Sequence, residues 1–478
     1  MTVRTIWWIR RDLRLDDNPA LLEAARADAM LPVYVHAPEE EGPWAPGGAQ
    51  RWWLHRSLGS LASTLEAHGS RLVVLRGEAA KVLADLARSC GATTVVWSRR
   101  FEPAARAQES RVEGALEAAG VQWRSYLSNH LFDPEEIATQ TGNPYQVYTP
   151  FARNVRARPA PARARSAPVA LPRSDGAPRG VPIDKLALDP TIDWAAGLRD
   201  AWSPGEAGAR VNLDRFVSEA VADYPEGRDR PSTAGTSRLS PHLAFGEIGI
   251  RRVWHAVADS RPETSADKFR AELLWREFAT HVLFHFGHTD LRPLRPEYAR
   301  FPWRDDPAAL EAWKRGRTGY PLVDAGMREL WTTGWMHNRV RMVVASFLVK
   351  HLLLPWQEGA KWFWETLVDA DLANNSLGWQ WAAGSGADAA PYFRIFNPTS
   401  QAAKFDADGA YIRRWVPELS ALDPASAREP SAAAPLALAA KGLRLGEHYP
   451  APVVAHAVAR ERALAALASV SAAKRGAS

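Results

Sequence analysis

TIWWIRRDLRLDDNPAL (residues 5–21) opens on a short apolar, β-branched and aromatic run and closes on Asn18-Pro19, an N-cap followed by the residue best suited to a helix's first turn. A run bounded in this way reads as an apolar strand that leads into a helix. The pattern repeats outward from this point. LPVYVHA (31–37) leads to RWWLHRSLGSLASTLEA (51–67), RLVVL (71–75) to a helix through KVLADLARS (81–89), and TTVVW (93–97) to a helix across 103–119. VQWRSYL (121–127) adds a fifth strand. Strands alternating with helices predict an α/β, Rossmann-like, doubly wound parallel sheet. No GxGxxG follows any of the strands, so no dinucleotide site of the usual Rossmann kind is expected.

Further along, RARPAPARARSAPVALPRSDGAPRGVP (156–182) is dense in proline, alanine and arginine and has no hydrophobic period, which reads as a linker. Beyond about residue 200 strand patterns give way to long amphipathic helices such as DKFRAELLWREFATHVLFHF (267–286) and WMHNRVRMVVASFLVKHLL (335–353). The expected organisation is an α/β domain over 1–130, an interdomain segment over 131–199, an all-α domain over 200–465 and a flexible tail over 466–478, with the last helix near 451–468.

The 478 residues suit two to three domains with ordinary cores, 46% of them being hydrophobic. The N-terminal apolar run is far shorter than the ~20 residues a membrane span needs and arginines follow it at once, so neither export nor membrane insertion is expected. Cys90 is the only cysteine, which rules out an intrachain disulfide, a cysteine zinc site or a four-thiolate iron–sulfur cluster and favours a reducing cytoplasmic setting; no metal site is expected. A net charge of +5 favours a polyanionic partner if it is gathered on one face. Tryptophan, usually the scarcest aromatic, occurs 21 times against 15 phenylalanines and 10 tyrosines, and twelve of the tryptophans lie between Trp254 and Trp415.

Four segments of the helical part carry polar groups that apolar surroundings disfavour. GTSRLSPHLAFGEI (235–248) sets Thr236, Ser237 and Ser240 ahead of a helix starting at Pro241, either an anion site or an ordinary N-cap with a surface arginine. Glu272 and Arg276, four apart beside Trp275, taken alone would be an ion pair worth only ~0.3–0.5 kcal/mol. His337, Asn338, Arg339 and Arg341 crowd a helix that runs on into MVVASFLV. DADLANNSLGWQW (369–381) sets Asp369, Asp371, Asn374 and Asn375 beside Trp379 and Trp381, whose rings should point to different sides. Solvated acids at a helix end would explain the last stretch alone. Recurrence of the pattern points to a polar heterocyclic ligand that partners these groups together.

TSRLSPHLAFG, ELLWREF, GRTGYPLVDAGMREL, GWMHNRVRM, DADLANNSLGWQWAAG and DAAPYFRIFNPTSQAAKFD, in this order, resemble the flavin domain of the photolyase/cryptochrome family, and WWIRRDLRLDDNPAL resembles that family's antenna-domain opening. The resemblance covers about 4–150 and 200–460. It implies FAD, reduced in its active form, among helices. Tyr224, Thr236, Ser237, Arg238, Leu239 and Ser240 match its diphosphate and ribityl contacts, and Glu272, Arg276, Asn338, Arg341, Asp369 and Asp371 match residues lining adenine or isoalloxazine. Asn375 matches the position facing flavin N5. Trp379, Trp356 and Trp303 match a chain of rings that carries electrons to photo-oxidised flavin. Trp275 and Trp381 match the walls of a substrate cavity, with Asn338, Glu272 and Met342 at its floor and Arg228, Arg339, Arg394 and Lys404 near DNA phosphates.

The implied activity is light-driven repair of cyclobutane pyrimidine dimers in UV-damaged DNA, duplex or single-stranded, by a monomer that needs no protein partner. The alternative is a cryptochrome-type blue-light receptor without repair activity; a flavoprotein of dark redox chemistry finds no NAD(P) motif. Asn338 after His337 departs from the (6-4) repair branch, which carries a histidine pair there, and Asn375 and Trp381 depart from plant cryptochromes, which carry aspartate and tyrosine. The pattern most resembles a bacterial cyclobutane-dimer photolyase near the plant-cryptochrome branch. Methenyltetrahydrofolate is the first expectation for the antenna, with a deazaflavin or none as alternatives, because EPAARAQES lacks the Asn-Glu pair of many folate-using relatives near position 104. Trp52 and Trp53 could stack on a pterin or form a buried helix face.

Overall fold

The computed structural model describes residues 4–174, 176–389 and 393–475; the DAAPYFRIF motif therefore lies partly outside the described residues, as does the end of the tail. Strands β1 (Arg4–Ile9), β2 (Ala29–His36), β3 (Val73–Arg76), β4 (Thr94–Ser98) and β5 (Gln122–Tyr126) form one parallel sheet in the order β3-β2-β1-β4-β5. Its register sets Ile6 opposite Leu31 and Val95, and Trp8 opposite Val33 and Trp97. Ile6, Leu31, Val33, Val73 and Val95 are wholly buried together with Leu83 of the Ala79–Cys90 helix and Val112 and Leu116 of the Pro103–Ala118 helix. Continuous rather than alternating apolar runs produce this two-sided burial. The strands expected from the sequence are all present, within a few residues at their ends.

Beyond residue 200 the described residues form helices and no strand, with one isolated bridge between Leu445 and Tyr449. The last helix runs His456–Arg475, further than the sequence pattern suggests. Among the described residues no helix is long and apolar enough to cross a membrane.

The chain divides into two compact units: Met1–Ala222 with Ser237–Gly287 and Val368–Ala373, and Asp223–Thr236 with His288–Leu367 and Asn374–Ser478. This division differs from the boundaries drawn on composition, and buried polar contacts within the first unit explain why. Arg14, fully buried, donates to the carbonyls of Asp16, Asp17, Ser128 and Gly246 and to the side chains of Asn129 and Ser128 at 2.7–3.2 Å. Trp53 Nε1 donates to buried Glu247 at 2.9 Å, and Glu277 accepts from the backbone N–H groups of Leu131 and Phe132 at 3.0 and 3.2 Å. Helical segments around 246 and 277 are thereby fastened to the sheet's loops, since a buried charge left without partners is costly.

The proline-rich stretch also lies against the sheet. Asp17 N donates to Arg165 O at 2.7 Å, Met30 N to Arg173 O at 3.2 Å and Val181 N to Val74 O at 2.7 Å. Gly180 has φ +70, and a Cβ there would come within 2.9 Å of Val74 O, so this close approach requires glycine. Main-chain pairing substitutes here for the absent hydrophobic period.

Replacing Arg14 with methionine would remove the donor from six acceptors within the first unit. We expect a loss of about 3–5 kcal/mol in urea unfolding; a loss below about 1 kcal/mol would show that Arg14 does not organise this unit.

Candidate functional site

The proposed site residues fall in both compact units. In the first, Ser237, Arg238 and Leu239 precede the short Ser240–Ala244 helix. Ser237 Oγ accepts from Leu239 N at 3.3 Å, Leu239 is buried, and Arg238 adopts φ 57 with its guanidinium 4.1 Å from the centroid of the Trp202 ring. The arginine of this segment is therefore held against an aromatic face and is not an unconstrained surface charge. The helix begins one residue before the proline named from sequence, with Pro241 still in its first turn.

On the Glu263–His285 helix, Glu272, Trp275 and Arg276 are half-buried. Arg276 donates to Asn129 O at 2.6 Å and lies 3.6 Å from Glu277, which turns it towards the loop after β5. Tyr148 lies flat on Trp275, with centroids 3.7 Å apart and planes at 7°, and its hydroxyl donates to Ala271 O at 2.9 Å. Tyr148 and Glu277 were missed in the sequence. The available signals were QVYTPF inside a stretch assigned to the linker and an acid in the apolar run WREFATHV. Asp369 is buried and Asp371 half-buried, just ahead of the Leu372–Ala383 helix. Burial of Asp369 departs from a simple solvated helix end.

In the second unit, His337 caps the Asn338–Ser346 helix, its Nδ1 accepting from Arg339 N at 3.2 Å. Its backbone N donates to Glu329 at 3.2 Å, and Tyr411 OH donates to the same carboxylate oxygen at 2.6 Å. Burial holds the His337 imidazole down to about 4, and its Nε2 has no hydrogen-bond partner among the described residues. The helix buries Val340, Val343 and Val344, whereas Asn338 is exposed and Arg339, Arg341 and Met342 are half-buried. Asn338, Arg339 and Met342 thus give the helix an accessible face, while its His337 cap and its valines are buried.

Around that face Arg339 donates to Asp229 at 2.6 Å and approaches Met342 Sδ at 3.7 Å. Arg339 and Lys404 lie 4.4 and 5.1 Å from the centroid of the Phe405 ring, and Arg228 lies 3.9 Å from Asp229 and 5.5 Å from the centroid of buried Tyr224. Asp229, unmarked in sequence, thus anchors Arg228 and Arg339, while Met342 and, through the Phe405 ring, Lys404 are linked to Arg339. Thr236 lies in this unit as well. Arg341 turns away to donate to Met336 O at 2.7 Å.

Trp379 is buried against Trp313 and Phe363, at 6.1 and 5.0 Å between centroids. A Cβ at Gly359 would lie 2.0 Å from its ring, so glycine admits the indole there. Its Nε1 has no partner among the described residues, and Asn375 on the same helix donates to Ala360 O at 3.1 Å. Trp356 is buried at the start of the Trp356–Thr366 helix, and half-buried Trp303 packs on Phe301 at 4.3 Å. The ring contacts described for Trp379 are thus to Trp313 and Phe363, and Trp313 was not singled out from the sequence. Trp381 lines a small cavity with Lys350, Phe393 and Arg394.

Within the second unit, the amide and guanidinium groups of Asn338, Arg341 and Asn375 and the indole N–H of Trp379, buried without a partner among the described residues, have the chemistry that a heterocycle of mixed polarity such as FAD pairs with. A separate cleft in the first unit lies at the carboxyl ends of β1 and β2, where doubly wound sheets bind ligands, and is lined by Trp8, Arg11, Tyr34, Arg100, Gln108 and Phe245. Burial pushes the Tyr34 hydroxyl up to about 12, while Arg100, bonded to Glu41 and Glu102, holds Glu102 down to about 2 against the opposing effect of its burial. Trp52 and Trp53 are wholly buried, so the helix-face reading of these two rings holds and neither offers an open face to a pterin.

His337 gives the stability a defined pH response. Its folded pKa lies below the ordinary value of 6.5, so the unfolded chain binds the proton first and stability falls as pH drops from about 6.5 towards 4. The variant His337→Asn should lose about 2 kcal/mol less than the parent between about pH 7 and pH 5 in urea titrations; equal losses would mean that the imidazole is not held neutral.

A family model described as DNA photolyase matches residues 5–171, and one described as the FAD binding domain of DNA photolyase matches 269–469. The chain is 48% identical to a deoxyribodipyrimidine photo-lyase of Agrobacterium fabrum over 98% of both chains, and 38% identical to cryptochrome-1 of Arabidopsis thaliana over 98% of this chain and 70% of that one. The crystal structure of a bacterial class III photolyase from Agrobacterium tumefaciens superposes with a TM-score of 0.95 at 47% identity, covering 98% of each chain. With a parallel-sheet domain, a helical FAD-binding domain and relatives of this similarity along nearly its full length, the chain belongs to the photolyase/cryptochrome family.

Proposed function

We propose that this protein is a deoxyribodipyrimidine photo-lyase, splitting cyclobutane pyrimidine dimers in UV-damaged DNA under blue or near-UV light. The observation that carries the reading is the accessible helix face in the second unit. There Asn338 and Met342 are flanked by Arg228, Arg339 and Lys404, which suits a lesion whose phosphates are held by cations. Likeness of 48% to a curated photo-lyase supports it, against 38% to a plant cryptochrome.

Reduced FAD, when bound, supplies the light-driven electron that opens the cyclobutane ring and that returns afterwards, so there is no net redox change. The chain's own residues hold and shape. Tyr224, Thr236, Ser237, Arg238, Leu239 and Ser240 would hold the diphosphate and ribityl groups. Glu272, Arg276, Asn338, Arg341, Asp369, Asp371 and Asn375 would meet the ring systems. Asp229 orients Arg339 for a DNA phosphate, and the Glu329–Tyr411 pair fixes His337 and with it the start of the helix that presents Asn338. Trp275, backed by Tyr148 on one face, and Trp381 offer rings for stacking on extruded pyrimidines. Such extrusion is the base-flipping strategy already attributed to photolyases. Trp379, Trp356 and Trp303 are assigned to electron delivery. The cleft at the carboxyl ends of β1 and β2 is the candidate antenna site, with methenyltetrahydrofolate as the first chromophore to test and a deazaflavin as the second.

Two variants separate the roles. Trp381→Ala should weaken binding to dimer-containing DNA by about 1–3 kcal/mol, measured by fluorescence anisotropy in the dark; unchanged affinity removes Trp381 from the substrate site. Trp303→Phe should abolish photoreduction of oxidised FAD while chemically pre-reduced protein still repairs. Loss of both activities with FAD retained would contradict the separation, and wild-type protein that binds FAD but repairs nothing would favour the receptor reading.

A further inference from the structure

Lys350 is a buried amine that the roles above leave unused. It sits at 4% exposure in the π-helical turn Phe347–His351, which continues the Asn338–Ser346 helix. Its Nζ donates to the carbonyl of Arg394 at 2.5 Å and lies 4.1 Å from the centroid of the Phe393 ring. An ammonium has three donors to satisfy, and among the described residues it meets one carbonyl and one ring face, too few for a full charge so deeply buried. Ser346, Trp381, Gly384 and Phe396 line the same cavity. Ser346 Oγ in turn accepts from Phe396 N at 3.4 Å, so the 393–396 stretch is tied to this helix at Arg394 and at Phe396.

We propose that Lys350 is a positioning residue for lesion binding: it pins the main chain of Phe393 and Arg394 beside Trp381, and it takes up a proton when a DNA phosphate reaches Arg394. The proposal rests on the substrate roles assigned above to Trp381 and Arg394. Burial, and after it the Arg394 guanidinium, bring the amine down to about 7. A phosphate at Arg394 offsets that guanidinium's repulsion and so favours the charged amine, which donates to the Arg394 carbonyl more strongly than the neutral one. Among the described residues Arg394 is the one other charged group lining the cavity. His351, next in the chain, is held neutral at about 3 by burial, and the Leu372–Ala383 helix contributes only Trp381 and Ala382 there.

The sign follows from linkage. If bound DNA raises the pKa of Lys350, a proton enters on binding between the free and bound values, and affinity falls as pH rises through that window. Calorimetric titration of the FAD-loaded protein in the dark with a duplex containing one thymine dimer tests this, in two buffers of different ionisation enthalpy. Expected are proton uptake near about pH 7.5 and affinity lower at about pH 8.5 than at about pH 6.5, tenfold for each pKa unit of difference. Lys350→Met should abolish the uptake, and Lys350→Arg should restore much of the affinity without it. A merely structural lysine would leave the uptake unchanged in both variants. Absence of uptake in the wild type overturns the proposal without any variant. Wild-type protein that does not prefer dimer-containing over undamaged duplex overturns the photolyase reading together with it.

Discussion

Everything in the first unit depends on how the charges that follow β1 are buried. Residues Arg10 to Asn18 leave the strand with three arginines and three acids, and all but Arg11 and the leucines between them are polar side chains sealed from water. Asp12 accepts from Arg10 N at 2.9 Å, from Ser98 at 2.7 Å and from Asn18 at 3.1 Å, which curls the segment into the N-cap of the following helix. Arg14 then reaches the loops at 128–129 and 246, while Asp16 and Asp17 pair with Arg252 and Arg251. An isolated charge could not survive there, so the network forms as a whole or the helical segments do not seat on the sheet.

Local pattern accounts for what was legible in the sequence. The β-strands announced themselves as apolar runs between helix caps, and the all-helical remainder announced itself through its period. Motif resemblance supplied the family, because long segments such as DADLANNSLGWQW recur in it in order. Distant pairings were hidden. Glu247, Glu277, Asp229 and Glu329 look like ordinary helix or loop acids, and their importance comes from partners dozens to hundreds of residues away: Trp53, Leu131, Arg339 and Tyr411. Periodicity carries no record of such contacts. The same limit explains why the Pro/Ala/Arg stretch read as a linker: its attachments to Asp17, Met30 and Val74 run through the main chain, which composition does not encode.

The abundance of tryptophan also divides once structure is available. Trp7, Trp8, Trp52, Trp53 and Trp97 are buried in the first unit and serve packing, with Trp53 additionally satisfied by Glu247. Trp379 and Trp313 form an aromatic nest with Phe363, and half-buried Trp275 and Trp381 keep part of their rings accessible. The sealed and the half-buried rings suit the two roles proposed for them, electron delivery and stacking on an extruded base. Cationic side chains anchored by a single acid, as at Asp229, suit a partner recognised through its phosphates.

The most direct test of the account is repair of a single cyclobutane thymine dimer in a defined duplex by purified protein whose FAD is fully reduced, under blue light with a dark control. Light-dependent recovery of two intact thymines per dimer, with no recovery in the dark, is the predicted result. Stable FAD binding with no recovery under light would contradict the account and leave a light-absorbing receptor in its place.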